Sequence, residues 1–288
     1  MEILPQLVVN SLIAGSIYAI LTLGFNLTYA SAKFIDMGFG VMTAIGGYAV
    51  FYFSKTLGFP LYLGIPAGII LSGLVSFLAY AFIYKPLRAR KSSSAVLLIA
   101  SLGALTALQA VIAILFTSQF QTLSGLLSGN RVFELFGGAF TAVQLSIFCV
   151  GAVLFAALAF FLKKTFFGKA VVAISDDEEV SKIVGINTDR VMGRLFFLSG
   201  AIGGLAGILI GFDTGIEPIM GLPWLLAAVV AAIIGGIGNI YGGIAVAFLL
   251  AFAENFGIWK IAGEWKSAIA FAVLLVFLVW KPRGLFPR

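Results

Sequence analysis

The chain has 288 residues, of which 61% are hydrophobic and only 10% are charged, and its formal net charge is +6. So few charges, together with apolar runs of about twenty residues, exclude an ordinary soluble enzyme and indicate a protein that crosses a membrane several times. Because backbone amides find no water inside a bilayer, the spans must be helices or a closed barrel, and the unbroken apolar runs exclude the alternating barrel pattern. We therefore predict an all-α polytopic transmembrane helical bundle.

Metal and redox chemistry are disfavoured by the residue types present. The chain has no histidine, and its one cysteine, Cys149, lies inside an apolar run. Imidazole ligands and paired thiolates are thereby excluded, and we expect no metal site. The first apolar segment has no basic region before it and extends for a full span, which favours a membrane helix over a cleaved signal.

Apolar segments follow one another along the whole chain. They cover residues 6–30, 37–54, 61–83, 93–118, 141–162, 195–212, 224–238, 241–256 and 267–280. The segment at 224–238 is shorter than a full span, and it meets the segment at 241–256 in the glycine-rich GGIGNIYGG, residues 235–243. We expect about 8 to 9 membrane segments, with a short broken or re-entrant pair at 224–256. The alternative is that these glycines only allow close helix packing.

Basic residues are distributed unevenly between the connections. They concentrate between 85 and 91, between 163 and 194, and in the C-terminal tail, whereas only four of the 18 lie on the other side: Lys55, Arg131, Lys260 and Lys266. The positive-inside rule places the richer side in the cytoplasm. This predicts a cytoplasmic C-terminus and an external N-terminus.

The stretch ISDDEEVSKIVGI, residues 174–186, interrupts the apolar pattern with four consecutive acids. Ser175 with Glu178 three residues later is the pattern of a capping box, and the neighbouring acids add negative charge where the helix dipole is positive. Gly185 is placed to end the helix in the left-handed conformation. We predict a cytoplasmic amphipathic helix of about two to three turns in the loop at 163–194.

The apolar face of this helix needs a cover. Val180, Ile183 and Val184 fall on one side, and a helix this short is only marginally stable in water. The cover could be the membrane-facing surface of the chain itself, the lipid surface, or a soluble partner for which the helix is a docking element.

The chain lacks a nucleotide site of its own. A P-loop needs G-x-x-x-x-G-K-[ST], but Lys163 stands at the position of the first glycine and Ala170 follows Gly168 and Lys169. We expect no enzymatic activity, and any ATP would be used by another chain. The segment centres carry no ionisable residue, which disfavours an ion-coupled secondary transporter or channel for a small polar solute. That class is the alternative.

Several stretches together resemble one protein family over nearly the whole chain. FIDMGFGVMTAIGGY (34–48) is similar to the family's glycine-rich second segment, and YKPLRARKSSSAVLLIASLG (84–103) to its basic loop and the following helix. Residues 173–187 look like its coupling segment, and 233–244 and 264–286 resemble its later motifs. The family is that of the permease subunits of ABC importers for branched-chain amino acids, in its shorter, LivH-like branch.

The resemblance implies a single transmembrane permease domain over residues 1–288, located in the cell (inner) membrane. It implies ATP-driven import of branched-chain or related small amino acids by alternating access. The implied partners are a related second permease subunit in a heterodimer, two cytoplasmic ATPase subunits and an extracytoplasmic substrate-binding protein. ATP is then used by the partner subunits, and this chain binds no cofactor.

Two groups of candidate site residues follow from the motifs. The ATPase-coupling helix is assigned Ser175, Asp176, Asp177, Glu178, Glu179, Val180, Ile183, Val184 and Gly185. The candidate transport pathway is assigned Asn10, Ser16, Thr22, Asn26, Gly38, Gly235, Gly236 and Asn239. For the pathway residues the alternative is a structural role, because a bundle also buries such groups in hydrogen bonds between helices.

Overall fold

The computed structural model describes residues 3–127, 131–135, 137–281 and 284–286. Its helices are α1 (Ile3–Ala32), α2 (Phe39–Val50), α3 (Leu61–Ala79), α4 (Lys85–Ala89), α5 (Ser94–Phe116), α6 (Ala142–Lys164), α7 (Phe166–Asp176), α8 (Glu178–Ile183), α9 (Thr188–Asp213), α10 (Gly221–Gly235), α11 (Ile240–Ile258) and α12 (Lys266–Trp280). Each predicted apolar segment coincides with a helix, so the predicted all-α bundle is confirmed. Of the basic tail, Arg283 and Arg288 lie outside the described residues.

One small β-hairpin was not predicted. Strands β1 (Val132–Leu135) and β2 (Gly138–Thr141) pair antiparallel, with Val132 opposite Thr141. Four-residue strands are too short to show a periodic pattern in the sequence, and pairing alone makes them recognisable.

Seven helices within the described residues are long and apolar enough to cross a membrane. α2 and α10, with 12 and 15 residues, are not among them, whereas α12 reaches the required length together with the 3₁₀ turn at Gly263–Trp265 that precedes it. α2 is continued by a π-helical turn at Phe51–Thr56, and α3 by another at Tyr80–Tyr84. Both short helices are largely buried inside the bundle, where protein, and not lipid, surrounds their ends.

α1 and α9 form the centre of the bundle. α1 packs most extensively against α11 and α9, while α9 packs against α3 and α2. The apolar parts of α1 and α9 are mostly buried, whereas those of α6 and α12 are mostly exposed. The exposed helices therefore supply the surface available to lipid.

Small residues bring α2 and α9 into backbone contact. A Cβ added to Gly46 would lie 2.3 Å from the carbonyl oxygen of Gly204. The Ser72 hydroxyl of α3 lies 2.9 Å from the carbonyl oxygen of Met42 and 2.8 Å from that of Gly200. Such contacts matter in lipid because apolar side chains gain little by leaving it for another apolar surface.

The bundle has two distinct ends. At the start of α1, the Gln6 Nε2 donates to the Ala139 carbonyl of the hairpin at 3.1 Å. Beyond its other end, Lys33 Nζ donates to the Ser175 carbonyl of α7 at 2.6 Å. We call these the hairpin end and the α8 end. The basic connections at 85–91 and 163–194 both lie at the α8 end, as the charge pattern predicts.

Candidate functional site

The predicted cap of the acidic helix is wrong by two residues. Ser175 is buried inside α7, and α8 begins after Asp177. The Asp177 Oδ1 accepts hydrogen bonds from the amides of Glu179 at 2.8 Å and Val180 at 3.0 Å. Asp177 is therefore the N-cap, and Glu178 is the first residue of α8.

The reason lies in α7, which the sequence analysis did not separate from its surroundings. Thr165 caps α7, accepting from the Gly168 amide at 2.9 Å. Val171 and Ile174 are buried on the inner face of this helix. Since the buried face continues to the last turn, Ser175 stays helical and the break falls at Asp177.

α8 is shorter than predicted. It has six residues, about one and a half turns. Lys182 in its last turn pairs with Glu178 at 2.9 Å. Gly185 follows with φ +89°, which confirms the predicted left-handed termination.

The apolar face of α8 is uncovered by this chain. Val180 is 53% exposed, Ile183 83% and Val184 68%. The alternative that α8 packs this face against the membrane-facing surface of the chain itself is therefore wrong. The two remaining alternatives are that this face contacts the lipid surface or a soluble partner.

Ionic contacts tie α8 to the bundle. Arg88 of α4 donates to the Glu178 carboxylate at 2.5 Å and to the Ala32 carbonyl at 3.1 Å. Partial burial alone would raise the pKa of Glu178, but the hydrogen bond from Lys182 and the charge of Arg88 outweigh it, so this pKa is lowered. A charged Glu178 thus connects α8 with α4 and the end of α1.

A polar cleft of about 910 Å³ opens beside the contact between Glu178 and Arg88, which we call the tether of α8. Its charged lining comes from the end of α1, α4, α8 and the start of α9: Lys33, Lys85, Arg88, Lys91, Glu178, Glu179, Lys182 and Asp189. Lys85 and Asp189 lie 3.3 Å apart and are both largely exposed. The cleft and the apolar face of α8 together form a surface that a soluble partner could contact through both polar and apolar groups.

Five of the eight pathway candidates meet at the break between α10 and α11. Thr22 donates to the Ala228 carbonyl at 3.3 Å, and Asn26 Oδ1 accepts from the Gly238 amide at 3.3 Å. The Asn26 Nδ2 is buried and has no hydrogen-bond partner in the part of the chain that the structure describes. Ser175 lines a small cavity with Asn26 and Gly238, so the coupling segment adjoins the break.

The glycines of the break both end a helix and pack closely. Gly236 has φ +98° and directly follows α10. A Cβ on Gly235 would lie 2.5 Å from the carbonyl carbon of Gly242 in α11. Asn239 caps α11 by accepting from the Gly242 amide at 3.1 Å, and its Nδ2 donates to the Phe286 carbonyl at 3.0 Å. The predicted break and the close packing of its glycines are therefore both present, but only α10 is short, since α11 has 19 residues and is long enough to span a membrane.

The other three pathway candidates lie elsewhere. Asn10 is exposed near the hairpin end and accepts from Gln6 at 3.0 Å. Ser16 is buried and bonds its own helix through the Leu12 carbonyl at 2.7 Å. Gly38 lies beside the buried pair of Tyr84 and Asp36, where a Cβ would come 2.8 Å from the tyrosine hydroxyl.

A buried charged cluster was missed by the sequence analysis. Tyr18 donates to the Glu254 carboxylate at 2.5 Å, and Lys266 Nζ lies 3.8 Å from the same oxygen. Tyr18 is the sixteenth of the 30 residues of α1, so the cluster lies against the middle of the central helix. Glu254 lies near the end of α11 and not at a segment centre, but its side chain is buried, at 1% exposed, which the sequence analysis did not predict. An acid inside an apolar helix was the available signal.

The bundle contains short interior helices that break at glycines, and a capped helix protrudes from one end. This is the architecture of a membrane transport protein. The model of the family described as branched-chain amino acid transport system / permease component matches residues 7–278, and the chain belongs to this family. It is a multi-pass inner-membrane permease.

Two full-length relatives agree with this assignment. The chain is 28% identical to the high-affinity branched-chain amino acid transport system permease protein BraD of Pseudomonas aeruginosa, over 98% of this chain and 95% of the relative. It is 29% identical to the corresponding permease protein LivH of Escherichia coli, with the same coverage.

A solved structure shows the same fold. PsaBC from Streptococcus pneumoniae, in complex with Fab, superposes with a TM-score of 0.54 at 16% identity. The match covers 96% of this chain and 92% of that one. At this identity the likeness concerns the fold alone.

Proposed function

We propose that this chain is the transmembrane permease subunit of an ATP-driven importer for branched-chain or related small amino acids. The family and the two full-length permease relatives support this proposal. Residues 1–288 form a single permease domain. Its partners are a related second permease in a heterodimer, two ATPases that use the ATP, and an external substrate-binding protein; the chain itself binds no cofactor.

The observation that carries the coupling part of the proposal is the exposed apolar face of α8. Val180, Ile183 and Val184 project from a short capped helix whose first residue, Glu178, is held by Arg88. A face of this kind at the surface is stabilised by a partner that covers it. With the α8 end in the cytoplasm, that partner is an ATPase subunit, and the hairpin end with the N-terminus faces outward.

The mechanism that we propose is alternating access driven by movement of α8. Closure of the two ATPases displaces α8, and the Glu178–Arg88 contact passes the displacement to α4 and the π-helical end of α3. The loop after Gly185 leads directly into α9 at the centre of the bundle. The break between α10 and α11 then opens and closes the pathway beside Asn26.

The test introduces aspartates at Val180 and Ile183 in the assembled complex. We expect substrate-stimulated ATP hydrolysis to fall about tenfold or more, because two charges would lie in the apolar contact with the ATPase. Val132→Asp at the exposed hairpin is the matched control and should keep full stimulation. Unchanged stimulation in the double variant, with normal membrane insertion, would show that α8 is not the docking helix.

The buried carboxylates of Glu254 and Asp36 favour an ion-coupled secondary transporter instead, since such proteins place ionisable groups inside the bundle. The two functions differ in their source of energy. The importer subunit should form a stable complex with its ATPases and show vanadate-sensitive uptake. A secondary transporter would take up solute alone, in proteoliposomes that carry only an ion gradient.

A further inference from the structure

A cavity of about 230 Å³ lies between α1, α10, α11 and α12 beside the buried charged cluster. Glu254, Tyr18, Trp224 and Lys266 supply its polar and aromatic groups. The coupling surface and the pathway around Asn26 do not include any of these four residues. A buried carboxylate in a membrane bundle is costly to retain, and such groups commonly mark binding sites.

Glu254, Tyr18 and Trp224 surround the ammonium group of Lys266. Lys266 Nζ lies 5.8 Å from the ring centroid of Tyr18, 5.7 Å from that of Trp224 and 3.8 Å from the Glu254 carboxylate. Aromatic faces with an adjacent carboxylate are the groups that bind ammonium ions in proteins. In this structure the chain's own lysine occupies that position.

Lys266 is held there loosely. The distance of 3.8 Å to Glu254 exceeds that of a hydrogen bond, whereas Tyr18 bonds the same oxygen directly. Lys266 is the first residue of α12, follows a short 3₁₀ turn at Gly263–Trp265, and is 35% exposed. Its long side chain can therefore leave the aromatic faces without disturbing the buried core.

We propose that this cavity binds an α-amino acid zwitterion, whose ammonium group displaces Lys266 from the Glu254 carboxylate and the two rings. The displaced lysine then pairs with the carboxylate of the ligand. This inference rests on the proposed function and names the chemical group through which the membrane domain itself recognises its substrate.

The remaining lining suits an aliphatic side chain. Ala227 and Val230 of α10 and Ala270 and Phe271 of α12 present apolar surface to the cavity. Tyr18 lies halfway along α1, whereas Glu254 is near the C-terminal end of α11 and Lys266 begins α12, so the polar groups lie toward the hairpin end of the bundle. An ammonium at Glu254 and an aliphatic group among these four residues describe a small branched or linear amino acid.

The experiment measures equilibrium binding to the purified full-length chain in lipid nanodiscs. Three probes separate the groups of the ligand: isoamylamine carries only the ammonium, 4-methylpentanoate only the carboxylate, and L-leucine both. If Lys266 fills the receptor about nine-tenths of the time, Lys266→Met should tighten isoamylamine binding about tenfold. It should not tighten 4-methylpentanoate binding, and the preference for L-leucine over isoamylamine should fall.

Two further variants make the test specific. Adding Glu254→Gln to Lys266→Met should abolish the gain for isoamylamine, because the carboxylate that receives the ammonium is lost. Lys260→Met is the matched control: this lysine contacts the Trp259 ring outside the cavity, and its loss should leave all three affinities unchanged. Should the Glu254 variant fail to fold, the single lysine variant with the three probes decides the question.

No gain for isoamylamine in Lys266→Met, or an equal gain for 4-methylpentanoate, would overturn the inference. The experiments distinguish a failure of this inference from a failure of the proposed function. Failure of the α8 double variant to reduce ATP hydrolysis, with the gain for isoamylamine present, would overturn only the docking role of α8. ATP-driven leucine uptake by a complex in which Lys266→Met brings no such gain would overturn only the ammonium receptor.

Discussion

The break between α10 and α11 and the protruding helix α8 are both short helical interruptions, but they are held by opposite means. At the break, Gly235 packs backbone to backbone on Gly242, with no space for a side chain. At α8, Gly185 has nothing within 4 Å of where a Cβ would be, and side-chain ion pairs provide the anchoring. The interior interruption is thus sterically constrained, whereas α8 can be contacted and moved from outside.

The largest effect is expected from filling the interior contact. Gly235→Leu places a side chain against the Gly242 backbone and should cost about 3 kcal/mol of folding free energy or more, because backbone cannot yield as a side chain can. The yield of monodisperse protein after detergent extraction, and its Tm, measure this. Gly103→Leu on the open face of α5 is the control and should be tolerated. Equal tolerance of both variants would contradict the backbone contact.

A smaller effect is expected from cutting the tether of α8. Arg88→Met removes the cation between Glu178 and the Ala32 carbonyl, and Lys182 still pairs with Glu178, so the fold should persist. We expect substrate stimulation of ATP hydrolysis in the assembled complex to fall about tenfold. Lys85→Met, which breaks only the exposed pair with Asp189, should change little. An equal loss of stimulation in Arg88→Met and Lys85→Met would contradict the role of the Glu178–Arg88 contact.

The smallest effect concerns pH. The pKa of Glu178 is lowered below its ordinary value of 4.5, so its contribution to the tether is present above that value and is lost as the pH falls through the lowered pKa. A spin label at Ile183→Cys, in a chain whose only cysteine has been replaced by Cys149→Ala, should become more mobile below pH 4.5. In Glu178→Gln the mobility should not depend on pH. A transition near neutral pH would assign the tether to another group.

Local patterns were sufficient for the elements but not for their ends. The apolar segments, the left-handed Gly185 and the clustering of basic connections at one end were predictable, because length, glycine geometry and charge act within a few residues. The N-cap was misplaced from Asp177 to Ser175, since the burial of Ile174 extends α7 by a contact that the local pattern does not contain. Tertiary burial decided between two acceptable caps.

The amino-acid sequence by itself determined a multispan helical protein, its family, and an acidic capped helix on its basic end. Only the tertiary structure decided which side chains meet: Arg88 with Glu178, and Tyr18 with Glu254 and Lys266. The physical reason is that the spans are apolar around most of their circumference, so no periodic pattern shows which face turns inward. Close contacts of small residues, such as Gly243 of α11 beside Thr22 and Asn26 of α1, hold α11 against α1, and Glu254 of α11 then meets Tyr18.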